Sequence, residues 1–205
     1  MDLRMPRLGW GQSAVTGAEN CVIMGPQGRI ILTGCEGVRA TPSSEERLFF
    51  ALWPKAAVAE AIAAHWRGGG GVMAADLHMT LAFLGATCPD EKAMLMTWAE
   101  AARGEAFAIR LDRVAYWEKP AVVVLEPRHV PLAGLRLAER VRGWAVRIGR
   151  PLPDCRPHVT LARRQKGLDP VAPAAIDWHV EDFVLARSDP AASPRYTILA
   201  RWPLS

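Results

Sequence analysis

Two short segments of the chain carry the same pattern in the same local context, and this duplication restricts the folds that the sequence can adopt. Leu77–Leu81 and Pro157–Leu161 each place His-x-Thr-Leu inside an apolar run typical of a buried strand. Because successive side chains of a strand point to opposite faces, the histidine and the threonine of each segment share one face. The sequence therefore predicts two strands that each present an imidazole beside a hydroxyl.

The order of the surrounding elements repeats as well. The first half reads as strand, helix, strand, helix and strand, at Leu48–Trp53, Ala56–Trp66, Leu77–Leu84, Asp90–Arg103 and Phe107–Trp117. The second half reads as strand, helix and three further strands, at Ala121–Leu125, Pro131–Ile148, Pro157–Ala162, Trp178–Arg187 and Tyr196–Trp202. This repeat predicts an α+β fold of two pseudo-symmetric lobes, each an antiparallel sheet with helices outside, and a catalytic cleft between them.

The composition divides the chain into two parts. Residues 1–46 are rich in glycine, show no helical period and end near the linker-like Thr41–Ser44, so we expect a poorly ordered extension there. Residues 47–205 are expected to form the bilobal domain, with lobes at roughly 47–117 and 121–202 and with exchange of strands left open. The 205-residue chain is 50% apolar, which is enough for a sizeable core. No apolar run reaches the length of a membrane-spanning helix.

Charge and cysteine content exclude several classes of protein. The net charge of +4 permits a polyanionic substrate but does not indicate a surface that wraps a duplex. Four cysteines without a Cys-x-x-Cys spacing indicate neither a disulfide scaffold nor a zinc knuckle. We accordingly expect no metal and no cofactor.

The paired motifs fit acid–base chemistry. Because histidine titrates near neutral pH, one imidazole can be protonated while the other is neutral, which supplies a general acid and a general base together. Two hydroxyl donors can hold the oxygens of an anionic transition state. Cleavage of a strained cyclic phosphodiester needs these parts and does not require a metal ion.

The same segments resemble a known family, the RNA 2′,3′-cyclic phosphodiesterases (also called 2′-5′ RNA ligases) of the 2H phosphoesterase superfamily. The resemblance covers residues 47–205. It is carried by an opening strand, two His-x-Thr motifs and an ending, at Arg47–Leu52, His78–Gly85, Pro157–Arg163, and Ser188, Tyr196 and Trp202–Leu204.

The resemblance implies hydrolysis of RNA 2′,3′-cyclic phosphate ends to 2′-phosphomonoesters, and hence a role in RNA processing. By position, His78 would be the proton donor and His158 the proton acceptor. Thr80 and Thr160 would hold the phosphate. The implied partner is RNA with 2′,3′-cyclic phosphate termini, with no membrane association, and we expect a cytoplasmic monomer.

The resemblance also assigns roles to Arg163 and Phe49, and for each residue a structural role is an alternative. Arg163 would contact the phosphate, although simple alternation along the strand points it away from His158, so a β-bulge or the end of the strand is needed to turn it back. Its alternative is a solvated cation, as for the neighbouring Arg164 and Lys166. Phe49 would stack on a base, and its alternative is a core side chain.

Other functions remain open at this point. Joining of RNA ends through a 2′-5′ bond is the reverse reaction at the same site, and the cyclic ester of a small nucleotide is an alternative substrate. An RNA-binding module without turnover needs no matched pair of histidines. A two-histidine metal site lacks a recurring carboxylate or third histidine near both motifs.

Overall fold

The computed structural model describes residues 22–24, 30–32, 45–150, 156–166 and 174–205. The extension expected at residues 1–46 lies almost entirely outside this part of the chain, so its disorder stays a prediction. Of the extension, the structure describes β1 (Val22–Met24) and β2 (Ile30–Leu32), which form an antiparallel pair. This pair belongs to a separate unit and is described by itself.

The described part of residues 45–205 alternates strands and helices. In chain order its elements are β3 (Glu46–Leu52), α1 (Ala56–Ala63), β4 (Met79–Thr87), α2 (Pro89–Glu100), β5 (Phe107–Leu111), β6 (Arg113–Trp117), β7 (Val122–Glu126), α3 (Leu132–Arg147), β8 (Val159–Arg163), β9 (Ile176–Val180), β10 (Asp182–Ser188) and β11 (Tyr196–Pro203). A 3₁₀ turn, Ala74–Asp76, precedes β4. Among these residues, no helix is long and apolar enough to cross a membrane.

Seven of the strands form one antiparallel sheet. Their order is β11-β10-β3-β4-β8-β7-β6, and β5 and β9 form a separate antiparallel pair. The predicted α+β class with antiparallel sheets is confirmed. Strands β10 and β11 come from the end of the chain but extend the side of the sheet that holds β3 and β4.

The two motif strands are neighbours at the centre of the large sheet. Strands β4 and β8 run antiparallel and pair at Met79 and Val159, a contact that we call the seam. Strand β3 flanks the seam on one side and β7 flanks it on the other. Because Met79 is 2% and Val159 0% exposed, the seam is anchored in the core.

Two predicted strands are in fact pairs of strands. Phe107–Trp117 divides at Asp112, and Trp178–Arg187 divides at Glu181, so β5 and β9 leave the large sheet and pair with each other. The apolar alternation of β5 stops after Leu111, which is the position where the chain changes sheet. The first motif strand, predicted to end at Leu84, continues to Thr87, because Gly85 adopts a φ of +72° within β4 without ending it.

The helices begin and pack largely as their sequences indicate. Helix α2 starts with Pro89, and the Glu91 carboxylate accepts a hydrogen bond from the Cys88 backbone N–H at 3.0 Å, which closes a capping box. Helix α3 buries a stripe consisting of Gly134, Leu137, Val141, Trp144 and Ala145. Leu132 and Leu135 are 61% and 47% exposed, because the helical period places both on the side of the helix away from the buried stripe.

Candidate active site

The register at the seam brings the two motifs together. Because β4 and β8 are antiparallel, extending the seam register by one residue in each direction places His78 opposite Thr160 and Thr80 opposite His158. All four side chains share one face of the sheet, since each lies one position from a seam residue. The two histidines are diagonal neighbours, and such positions lie about 7–8 Å apart, with their Cβ atoms somewhat closer. A phosphate group fits between side chains at this spacing.

Both imidazoles are held by the same local contact. The Nδ1 atom of His78 lies 2.7 Å from the carbonyl oxygen of Asp76, and the Nδ1 atom of His158 lies 2.7 Å from the carbonyl oxygen of Arg156. A carbonyl oxygen can only accept, so Nδ1 carries the hydrogen in each ring. The nitrogen that can exchange a proton with a substrate is therefore Nε2 in both histidines.

Each motif strand also has a β-bulge at its leucine. The pairing of β4 with β3 skips Leu81, and the pairing of β8 with β7 skips Leu161. A bulge adds one residue and reverses the alternation beyond it. The fifth residue after each histidine, Phe83 in β4 and Arg163 in β8, consequently returns to the face of the histidine. The bulge that Arg163 needed in order to face this side is present.

A cavity of about 420 Å³ opens on this face, and its lining is strongly basic. Its wall includes His78, Thr80, Phe83, Arg163 and Tyr196, together with the further cations Arg47 and Arg195. Three guanidinium groups around one imidazole favour an anionic ligand.

A second cavity, of about 430 Å³, lies mainly on the opposite, core-facing side of the motif strand β4. Met79, Leu81 and Ile109 are part of its mainly apolar wall. It contains neither histidine of the motifs, so the basic cavity is the candidate active site.

His78 sits in an aromatic enclosure. The indole of Trp53 stacks on its ring at 5.1 Å and 12°, and the rings of Phe49 and Tyr196 lie 4.9 and 4.7 Å away. Burial lowers the pKa of His78 to about 4, the hydrogen bond to the Asp76 carbonyl opposes the shift, and the Arg163 charge adds to it. The free imidazole is therefore neutral at pH 7.

His158 has a more charged environment. The ring of Trp117 lies 4.4 Å from its imidazole, and the guanidinium of Arg156 lies over the same Trp117 ring at 5.4 Å. Burial lowers the pKa of His158, whereas the Arg156 carbonyl and the Glu126 carboxylate both act to raise it.

Arg163 faces both histidines. Its charge lowers the pKa of His78 and of His158, and its Nη2 atom donates to the hydroxyl oxygen of Tyr196 at 3.5 Å. A cation whose charge acts on both imidazoles can also attract an anion bound near them.

Phe49 takes a different position from Phe83. Phe49 is only 2% exposed and packs against His78 and Tyr196, so its ring supports the imidazole and offers no open face to a base. Phe83 is 46% exposed, with the Arg47 guanidinium 5.7 Å from its ring centre. The sequence reasoning missed Phe83, although its spacing from His78 equals that of Arg163 from His158.

The described residues contain no cluster of three or more His, Cys, Asp or Glu side chains placed to hold a metal ion.

Comparisons with known proteins agree with this geometry. The model of the 2′-5′ RNA ligase superfamily matches residues 53–191. A protein of Escherichia coli named RNA 2′,3′-cyclic phosphodiesterase is 35% identical over 178 residues, which cover 80% of this chain and 99% of the relative. A Thermus thermophilus protein of the same name is 34% identical over 179 residues, which cover 77% of this chain and 90% of the relative.

Solved structures show the same likeness. The structure of Escherichia coli LigT complexed with 3′-AMP matches with a TM-score of 0.71 and 33% sequence identity, over 78% of this chain and 99% of that chain. The likeness to LigT, a two-lobed fold, confirms the predicted two-lobed architecture.

Proposed function

The chain belongs to the 2′-5′ RNA ligase superfamily, and from this premise we propose that it hydrolyses 2′,3′-cyclic phosphodiester ends of RNA by two-histidine acid–base catalysis. The observation that carries the proposal is the seam, which places two imidazoles of the same tautomer on one face beside a basic cavity. The product is the 2′-phosphomonoester.

In this mechanism His158 is the general base. Its Nε2 takes a proton from a water molecule while the water oxygen attacks phosphorus, and Nδ1 stays bonded to the Arg156 carbonyl. The negative charge of Glu126 stabilises the imidazolium that forms, since it raises the pKa of His158.

His78 is the general acid. As the bond between phosphorus and O3′ breaks, Nε2 of the protonated ring gives its proton to O3′, which leaves as a hydroxyl. Because burial lowers its pKa to about 4, the protonated ring is a strong acid. It is populated near neutral pH when the anionic phosphate is bound between the two histidines. Exchange with solvent returns each ring to its starting state.

The remaining site residues bind the phosphate and the base. Thr80 and Thr160 donate hydroxyl hydrogen bonds to the phosphate oxygens, and Arg163 supplies a charged donor that faces both histidines. Phe83 offers an exposed ring in the same cavity for the terminal base, a role that its exposure supports better than that of Phe49.

The test uses an oligoribonucleotide with a 2′,3′-cyclic phosphate end, incubated with the protein and EDTA. We expect a 2′-phosphate product from the wild type, none from H78A or H158A, and undiminished activity in H179A, because His179 lies on β9 in the separate β5–β9 sheet.

Each other outcome assigns a different activity. Binding of the oligonucleotide without product supports an RNA-binding module, and loss of activity in EDTA that a divalent metal restores overturns the metal-independent mechanism. Formation of a 2′-5′ bond with an added 5′-hydroxyl RNA, in excess of hydrolysis, assigns ligation as the main direction.

The proposal includes a monomer that acts in the cytoplasm. One chain supplies both motif strands, which pair with each other in one sheet, and this supports a monomer. An RNA substrate supports the compartment. Sedimentation at micromolar concentration checks the oligomeric state, and fractionation of cells checks the location.

A further inference from the structure

A buried carboxylate beside the site neither gives nor takes a proton in this mechanism. Glu126, at the end of β7, is 1% exposed. Its Oε2 atom accepts from Nε of Arg156 at 3.1 Å, and its Oε1 atom accepts from Nη2 of Arg156 at 3.1 Å and from Nη2 of Arg113 at 2.6 Å. Buried ion pairs often stabilise a fold no more than apolar residues of the same volume would, so stability alone does not explain this carboxylate.

One of its two arginine partners reaches the catalytic base by two routes. The backbone carbonyl of Arg156 accepts the hydrogen bond from Nδ1 of His158 at 2.7 Å. The guanidinium of the same residue covers Trp117, whose ring packs on His158. The bidentate contact with Glu126 fixes the guanidinium of Arg156 and so restrains the residue whose carbonyl orients the imidazole.

Near His78, on the other side of the seam, the acidic residue is Asp76, and among the described residues its carboxylate contacts backbone groups and no arginine side chain that holds the histidine. The carboxylate of Asp76 accepts from the backbone N–H groups of Arg195 and Tyr196, at 3.1 and 3.3 Å, and so holds the start of β11. The carboxylate of Asp76 thus holds a neighbouring strand, whereas the carboxylate of Glu126 holds the residue that orients His158.

We propose that Glu126 is a positioning residue for His158 that acts through Arg156. By holding the Arg156 guanidinium, it keeps the acceptor carbonyl and Trp117 in the places that aim Nε2 of His158 at the attacking water. The role in turnover rests on the hydrolysis proposed above.

The charges around His158 give the proposal a second readout. The charged or titratable groups that face it are Glu126 from β7, Arg163 from β8, Arg156 before β8 and His78 before β4. The charge of Glu126 raises the pKa of His158 and that of Arg156 lowers it. Loss of the carboxylate should therefore lower the pKa of His158, and loss of the arginine should raise it.

The experiment compares E126Q and R156A with R113A, a matched control. R113A also removes an ion pair with Glu126, but Arg113 lies on β6 and does not hold His158. We expect kcat to fall by about 10- to 100-fold in E126Q and R156A, with KM unchanged, because a small misplacement of a catalytic group has effects of this order. R113A should keep the wild-type kcat, and R156K should recover part of the loss.

Nuclear magnetic resonance titration of the His158 ring, assigned with H158A, measures the pKa without turnover. We expect a downward shift in E126Q and an upward shift in R156A. Equal kcat values in R156A and R113A with an unmoved His158 titration overturn the proposal, and this comparison decides even if E126Q does not fold. If the wild type does not hydrolyse the cyclic end, the proposed function fails, while the titration still tests the link from Glu126 to His158.

Discussion

The two sides of the seam have the same backbone design but different surroundings. On each side the histidine donates Nδ1–H to the carbonyl of the residue two positions earlier, and a bulge at the motif leucine turns the fifth following residue back to the site. On one side that residue is Phe83 and three aromatic rings enclose His78. On the other side it is Arg163, and the buried carboxylate of Glu126 binds Arg156, the residue whose carbonyl accepts from His158.

The shared hydrogen bond to Nδ1 fits a need common to both histidines, whereas the different surroundings fit separate roles as acid and base. The proposed proton transfers need one free ring nitrogen in each imidazole, and the backbone leaves Nε2 free in both by the same hydrogen bond to Nδ1. Acid and base require different tendencies to release a proton. The apolar enclosure makes protonated His78 a strong acid, and the Glu126 charge favours the protonated form of His158.

The largest expected effect tests the shared part of the design. H78A and H158A should each lower kcat by about 10²- to 10⁴-fold, because each removes one proton transfer. The double variant should be little worse than either single variant, since the two groups act as a unit. Single-turnover rates measure both effects. A loss of less than tenfold in one variant would mean that only one side of the seam takes part in the chemistry.

The pH dependence tests the difference between the sides. Burial lowers the pKa of both imidazoles below the ordinary 6.5, to about 4 for His78. The active free enzyme needs one ring protonated and the other neutral, so kcat/KM should be bell-shaped with its maximum below pH 6.5 and should fall as the pH rises above the higher pKa.

Binding of the phosphate anion favours the protonated rings, so the maximum of kcat should lie at a higher pH than that of kcat/KM. Steady-state rates measured between about pH 4 and pH 9 give both profiles. A kcat/KM maximum near pH 8 would show that burial does not control these rings.

A smaller effect comes from the equivalent positions Phe83 and Arg163. R163A should lower kcat/KM by about 10- to 100-fold for every RNA end, because a charge-assisted contact to phosphate does not depend on the base. F83A should lower it by roughly 5- to 100-fold, and more for purine than for pyrimidine ends, because stacking depends on the base.

Rates with four oligonucleotides that differ in the terminal base separate the two effects, and F83L controls for apolar bulk without an aromatic face. An equal loss for all four ends in F83A would contradict stacking and would leave both positions with the same role.

The sequence predicts how neighbouring residues of the site are arranged better than it predicts contacts between distant parts of the chain. The period-two pattern places His78 and Thr80 on one face because that property depends only on neighbouring residues. The pairing of Met79 with Val159 joins residues far apart in the chain, and no local pattern specifies it. The bulges at Leu81 and Leu161 are hidden because a leucine followed by an alanine is apolar in either register.

Buried charges were equally hard to predict. Glu126 follows the apolar run of β7 and precedes a proline, so the sequence indicates the end of a strand. Its burial depends on Arg113 and Arg156, which arrive from two other parts of the chain. A carboxylate that is buried by distant partners leaves no periodic signal near its own position.

The smallest expected effect on turnover comes from Asp76, the residue two positions before His78. Its carboxylate, in a residue 7% exposed, accepts from two backbone N–H groups, so D76A should remove both hydrogen bonds and cost about 1–3 kcal/mol of unfolding free energy in total. The His78 acceptor is the backbone carbonyl of Asp76, which remains in the variant, so kcat should change only a few-fold.

Urea denaturation and single-turnover rates on the same samples check this prediction, with D76N as the variant that keeps one acceptor oxygen. R156A, in contrast, should lower both kcat and stability, because it removes a partner of the buried Glu126 carboxylate, so kcat is the measurement that separates the two positions. If D76N instead lowers kcat as much as R156A without loss of stability, the two sides of the seam use this position in the same way, and the assignment of separate acid and base surroundings fails.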